Sequence, residues 1–414
     1  MTEGAKAVIR TYVGITSIST LAESLIWSIN TFLLLDAGLT IGEAFAANAF
    51  FSLGFVVFEI PTGVIADTWG RRASYLIGLL TVTATTLLYI LLWSTQAPFA
   101  AWAAVSFMIG FGFTFFSGAV EAWLVDALDA TKYKGALESV FAKGQIAWGA
   151  AMLSGALLGG VIAQTWSLST PYVLRSILLV VAFVLAYRFM KDLGFEPDTN
   201  TKLRKHVKEV LKSSLDHGLK KPQIRWVMLS SAFFYGIGGY VFYAMQPYLL
   251  ELYGDDQAYA IAGIAASAMA ASQIAGGLAV GLVRRIFNRR TTVMLLGVFV
   301  FSGSLFGMAM AGSFAVAFVF LVIWSTVFAG VGPVRQAYLN KLIPSKQRAT
   351  VLSFDALISS IGGTAAQPGF GKIADVWGYS ASYAVAAGVN LIAAPLIGIA
   401  RCMQSPADKI EKES

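Results

Sequence analysis

Long apolar runs recur along almost the whole chain, and they constrain its fold more than any other feature. A helix needs about 20 apolar residues to cross the hydrocarbon core of a bilayer. Runs bounded by charge, Gly and Pro give twelve such spans, at 10–35, 44–67, 73–95, 99–128, 144–165, 172–190, 226–251, 259–284, 291–311, 313–342, 356–376 and 381–402. Only the stretch 191–225 interrupts the pattern for long, and it divides the spans into two sets of six. The spacing therefore predicts an all-α membrane protein with twelve transmembrane helices: an N-terminal six-helix bundle over 1–190, a cytosolic basic linker over 191–225, and a C-terminal six-helix bundle over 226–414. The linker sequence VKEVLKSSLDHGLKK fits either a solvated connection or an amphipathic helix on the inner membrane surface.

Charge orients the spans. Only 13% of the 414 residues are charged, against about 25% in a soluble domain, which excludes a soluble enzyme. Lys and Arg gather in alternate connections (Lys6 and Arg10; Arg71 and Arg72; Lys132, Lys134 and Lys143; 188–225; 284–290; 341–348; 401–412), whereas the opposite connections carry Asp36, Glu43, Glu251, Asp255 and Asp256. Basic loops stay inside, so both termini are expected in the cytosol, with the first span retained and the protein multi-pass in the inner or plasma membrane. The net charge of +7 is then a topology signal, not a nucleic-acid footprint. With one cysteine, Cys402, and two histidines, His206 and His217, in the polar middle, no disulfide, metal site, cofactor or histidine-based enzyme is expected. No GxxxxGK[ST] element for ATP occurs. The expected partners are the bilayer, protons and a small-molecule substrate, and the expected state is a monomer.

The two halves repeat one another. IAQTWSLSTPY, ending at Tyr172, aligns with IADVWGYSASY, ending at Tyr383; Ser139 falls on Ser353, and Gly63 with Arg71 and Arg72 matches Gly281 with Arg289 and Arg290. Parallel repeats of six spans, with a site at their interface near the midplane, describe a secondary transporter, and give its function only as a class.

The loop GVIADTWGRR, Gly63 to Arg72, resembles the signature loop of the major facilitator superfamily, and with the twelve spans and basic central loop the resemblance covers essentially the whole chain. It implies alternating access, with the first, fourth, seventh and tenth spans lining the cavity. It also implies a cytosolic gate in which Gly63 permits close helix approach and Asp67, Arg71 or Arg72, and Asp126 latch together. The second copy, GLVRRIFNRR, has Arg285 in place of Asp67, so the latch is expected on one side only. SGALLGGVI resembles a Gly-Pro-x-x-Gly-Gly element of the drug/proton antiporter branch, with Gly155, Gly159 and Gly160 present but Ala156 in place of proline. Those glycines equally serve close helix packing. Phe107 stands where that branch carries a fourth-span arginine.

Charges deep in spans are costly and point to function. Glu23 lies mid-way along the first span, where Thr20, Glu23, Trp27 and Asn30 share a face at helical spacing; it is the leading candidate for protonation or cation recognition. Glu121 and Arg335 occupy equivalent depths in the fourth and tenth spans, fitting a gate, a substrate clamp or separate pairing within each bundle. Glu59, near Pro61, is either a proton carrier or a structural partner. Tyr240, Tyr243 and Gln246 on the seventh span suit a pocket or ordinary packing. Arg175 and Lys372 are read as snorkelling cations, Lys372 with Asp375 as partner. The combined expectation is proton-coupled export of amphipathic neutral or cationic compounds, favoured by an acidic cavity; the alternative is a proton symporter importing a nutrient or organic anion, with Arg175 and Arg335 as anion ligands.

Overall fold

The computed structural model describes residues 2–195, 212, 215–344 and 348–410. Most of the central linker, including His206 and the greater part of the amphipathic stretch, lies outside the described residues. The described part of the linker includes a π-turn, Leu215–Leu219, with Lys220 2.6 Å from Asp216. That ammonium group holds the Asp216 carboxyl below its usual range.

The described chain is helical, and its one β-type feature is an isolated bridge between Arg289 and Lys409. In order the helices are α1 (Glu3–Ser24), α2 (Asn30–Asp36), α3 (Ile41–Trp69), α4 (Arg71–Ser94), α5 (Phe99–Thr114), α6 (Ala119–Ala130), α7 (Leu137–Thr165), α8 (Thr170–Phe189), α9 (Pro222–Tyr253), α10 (Tyr259–Ile286), α11 (Arg290–Ala309), α12 (Phe314–Leu342), α13 (Arg348–Asn390) and α14 (Ala393–Cys402). Among the described residues ten helical stretches are long and apolar enough to cross a membrane, which makes this a multi-pass inner- or plasma-membrane protein. Val351–Cys402 counts once among them, although Gly378, at φ 82°, divides α13 into two helices. Leu80, Leu87, Val184, Leu278 and Phe299 are exposed on outer faces, as lipid contact requires. The threonines of α4 are tolerated because Thr81, Thr83 and Thr86 donate their hydroxyls to the carbonyls four residues earlier.

Two spans read as continuous from the sequence are broken. Between α1 and α2, residues 25–29 make short i→i+3 bonds: Ile26 N to Glu23 O, Trp27 N to Ser24 O and Ile29 N to Ile26 O. Between α5 and α6 the chain turns through 115–118, with Gly118 left-handed at φ 66°. The corresponding spans of the second half, α9 and α12, run unbroken with Pro247 and Pro333 inside them.

The chain forms two compact units. The first comprises Met1–Leu39, Phe50–His206 and Gln257–Ser267. Its core joins α1, α4, α6 and α8 through Tyr12, Ile15, Tyr75, Leu79, Trp123, Leu128 and Leu179. The second comprises Thr40–Ala49, Val207–Asp256 and Ala268–Ser414. Its most extensive helix pairing is α9 on α13.

Candidate functional site

In the first unit, the break after α1 is held against α7. Ser24 Oγ donates to Ala151 O at 3.1 Å and Ser28 Oγ to Ala156 O at 3.0 Å. A Cβ at Gly155 would strike Ser24 Oγ, and one at Gly159 would strike Leu25 O. These two glycines thus let α7 lie directly on the broken backbone, while Gly160 faces the main chain at Tyr259 and Gly263 in the same unit.

Glu23 sits in the last turn of α1, just before the break. Among the described residues its carboxylate takes no direct hydrogen bond or ion pair. The cation whose charge acts on it is Arg175 on α8. Arg175 does not snorkel outward: it is 4% exposed, with its guanidinium 5.9 Å from the Phe113 ring. The reason is composition, since α8 presents Arg175 to the polar and aromatic interior of α1, α4 and α5 instead of to lipid. Tyr75 is buried in this interior, its hydroxyl 2.5 Å from Ser19 Oγ. Asn30 accepts from the Tyr172 hydroxyl at 3.1 Å. The proposed common face of Thr20, Glu23, Trp27 and Asn30 is interrupted, because helical periodicity fails across 25–29 and Thr20 is buried.

The second break carries Glu59 and Glu121. Ser117 Oγ donates to Glu59 Oε1 at 2.6 Å, and the buried Oε2 has no partner. Gly54 and Gly110 bring α3 and α5 into backbone contact a few residues away. Glu121 occupies the first turn of α6 and makes no ion pair among the described residues.

Arg335, in the second unit, is held through both terminal nitrogens, while its buried Nε has no partner among the described residues. Its Nη1 and Nη2 meet Asp355 Oδ2 and Oδ1 at 2.6 and 2.5 Å, Nη2 also donates to Val227 O at 3.2 Å, and the Tyr235 ring lies 5.5 Å away. Asp355 went unnoticed in the sequence because the eleventh span was begun at 356; the helix in fact starts at Arg348. Tyr240 is wholly buried, with its hydroxyl on Ser382, and Gln246 is buried with its amide toward Phe242 O. Tyr243, half-buried, is the one of the three with side-chain surface to offer. Lys372 does not take Asp375, whose carboxylate accepts from Gly42 N at 2.9 Å.

The signature loop forms its contacts locally. Arg71 pairs with Asp67 on the preceding turn at 2.6 Å. Arg72 donates to Tyr187 O at 2.6 Å, and its backbone N–H is capped by Asp192 at 3.0 Å. Asp126 pairs with neither arginine: Arg71 takes Asp67 and Arg72 the Tyr187 carbonyl, while the Nε of each is buried without a partner among the described residues. A Cβ on Gly63 would meet nothing within 4 Å.

Comparison with known proteins gives the family and the fold. The Major Facilitator Superfamily model matches residues 13–281 and 228–413. No curated protein matches the sequence. Among solved structures, the nucleoside transporter NupG superposes with a TM-score of 0.78 at 10% identity, covering 95% of this chain and 98% of its own. A bacterial homolog of the human lysosomal transporter Spinster, in an inward-facing and occupied conformation, gives 0.75 at 13% identity and covers 98% and 100%. A POT family transporter in complex with 5-aminolevulinic acid gives 0.71 at 12% identity, covering 94% and 95%. The chain therefore belongs to the Major Facilitator Superfamily and is a secondary transporter of that type, not an enzyme.

Proposed function

We propose that the protein is a proton-coupled symporter that imports a polar nutrient bearing an anionic group, through twelve helices in two six-helix bundles with both termini cytosolic. What supports this reading is that the first unit holds both the deep acid Glu23, in the last turn of α1, and the buried cation Arg175 on α8. Export of cations was favoured by an acidic cavity, and that premise weakens. Arg175 offsets Glu23, Asp355 neutralises Arg335, and Ala156 and Phe107 already depart from the antiporter pattern. Two of the three structures named above support it, one a nucleoside transporter and one a POT family transporter in complex with 5-aminolevulinic acid.

The coupling follows from charge balance. A charge buried in a span must be compensated, and a deprotonated Glu23 compensates Arg175. Once Glu23 takes a proton that compensation is lost, and an anionic group on the solute restores it. Proton and anionic group then cross together, and each state stays near neutral. A ligand shifts the access equilibrium only by binding the two states differently, and protonation of Glu23 supplies that difference. Arg335 is a structural charge in this scheme. Glu59 and Glu121 are the second acidic candidates, and Trp27, Asn30 and Tyr243 are candidate contacts to the solute.

The test is proton exchange by the purified protein in weak buffer on adding nucleosides, dipeptides, organic anions and lipophilic cations, with Glu23→Gln alongside. Proton uptake with an anionic or zwitterionic solute, lost in the variant, supports symport. Proton release on adding a cation would overturn it in favour of export.

A further inference from the structure

The residues that follow α14 fold back onto the second unit. Ser405 Oγ caps a short 3-10 turn, Pro406–Asp408, by accepting from Ala407 N. Asp408 then closes on the start of α11: Oδ1 accepts from Thr291 N at 2.7 Å and Oδ2 from Thr291 Oγ1 at 2.9 Å. Arg290 Nη1 donates to the Ala407 and Lys409 carbonyls, both at 2.6 Å, and Ile410 N donates to Asn288 O at 2.9 Å. Lys409 forms the antiparallel bridge with Arg289. Ile410 is buried against Val293 of α11 and Val334 of α12, with Val280, Val283 and Phe287 around them.

Each charge in this contact depends on the other side. Asp408 and Arg290 are 5% and 9% exposed. Burying a polar group without its hydrogen bonds is costly, and departure of the segment would take both carbonyl acceptors from Arg290 Nη1 and both donors from the Asp408 carboxylate. The Asp408 carboxylate also completes the first turn of α11, where free N–H groups and the helix dipole favour an anion.

The first unit has a related arrangement. There Asp192, just after α8, caps the start of α4 through Arg72 N, and Arg72 holds the Tyr187 carbonyl. The second copy of the loop, GLVRRIFNRR, has no acid of its own. The acid is supplied instead from beyond the last span, by Asp408.

We propose that Ser405–Ile410 is a strap that clamps the start of α11 to the final third of α12 and sets the position of that third. Val334, under Ile410, precedes Arg335 directly. Tyr338, one turn on, is wholly buried and lies within the field of Asp408. The strap thereby steadies the helix turn that carries the Arg335–Asp355 pair. Under the orientation proposed above it lies on the cytosolic side, where an opening of this unit would have to carry α11 and α12 together.

The single cysteine, Cys402, is exposed three residues before the strap and is a natural reporter. The experiment is hydrogen exchange by mass spectrometry on the full chain in lipid nanodiscs, with a nitroxide on Cys402 read by electron paramagnetic resonance. In Asp408→Ala the amides of Thr291 and of Val334–Leu339 should exchange about tenfold faster or more, as for local opening of one cooperative segment. The nitroxide should become mobile, while the buried run Val241–Leu250 of α9 keeps wild-type protection. Asp408→Asn, which keeps one acceptor oxygen, should fall between. Unchanged exchange at Val334–Leu339 would overturn the strap. So would loss of protection throughout α9, which would make Asp408 part of the unit's core fold. If Asp408→Ala does not fold, a chain ending after Met403 takes its place, and failure of that chain to fold overturns the proposal too.

Discussion

Replacing Asp355 by Asn should destabilise the protein far more than replacing Asp355 and Arg335 together. The pair is bidentate, at 2.5 and 2.6 Å, and its side chains are only 9% and 10% exposed. Unit charges about 4 Å apart attract by about 4 kcal/mol at an effective dielectric near 20. Asparagine forfeits this and leaves the Arg335 charge buried with one neutral amide oxygen, Val227 O and the Tyr235 ring as its partners. Breaking a buried pair from one side costs about 3–5 kcal/mol, whereas replacing both by apolar groups of similar volume is neutral or gains about 1–4 kcal/mol. Arg335→Met with Asp355→Leu should thus melt at or above wild type in detergent, monitored by size-exclusion dispersity after heating, while Asp355→Asn melts well below. A single variant as stable as wild type, or a double variant as damaged as the single, would refute the argument that this is a closed structural pair. Were Arg335 an anion ligand, the double variant would instead abolish solute binding.

Gly159→Ala should cost about 1–3 kcal/mol, the price of overpacking, because the added Cβ would meet the Leu25 carbonyl. Gly303→Ala in α11 meets nothing within 4 Å and should gain about 0.5–1 kcal/mol from helix propensity; thermal melting of both variants checks the contrast. Ser117→Ala leaves the buried Glu59 carboxylate without its donor and should cost about 1–3 kcal/mol. Adding Glu59→Leu to it should recover most of that loss in the same melting assay.

The apolar runs were legible because a bilayer demands them, whatever the packing inside. The breaks were not. SLIWSIN and FTFFSG stay apolar straight through the points where the helix stops, so hydrophobicity carries no trace of them. Gly118 was the one local signal, since a left-handed residue mid-span suits glycine. Glu23 was legible as a costly charge, but its relation to Arg175 required the third dimension, because α1 and α8 are far apart in sequence. Arg335 was found and its partner missed, through a helix start placed eight residues late. The gate arginines were found, and their acceptors proved to be the nearest ones: Asp67 four residues back, and the main chain at the end of α8. Asp192 and Asp408 lie outside every span, where a reading built on apolar runs does not look.

The repeat makes the differences between the halves informative. Aligned through Ser139 and Ser353, Glu121 is equivalent to Arg335, and Phe141 to Asp355. The second half thus gained a closed pair where the first keeps a lone acid. Its other interior acids are also engaged, Asp375 by Gly42 N and Asp408 by Thr291. In the first half Glu23 and Glu121 make no direct ion pair among the described residues, and Glu59 holds only Ser117. Titration should therefore act on one half. Proton binding changes stability only where a group's environment differs between states. Hydrogen exchange at about pH 5 and about pH 8, corrected for the intrinsic rate, should change in α1, α4 and α6 and leave α9, α12 and α13 as they were. An equal response in both units would place the proton-sensitive groups outside the first half as well as inside it. It would end the assignment of proton coupling to the first half.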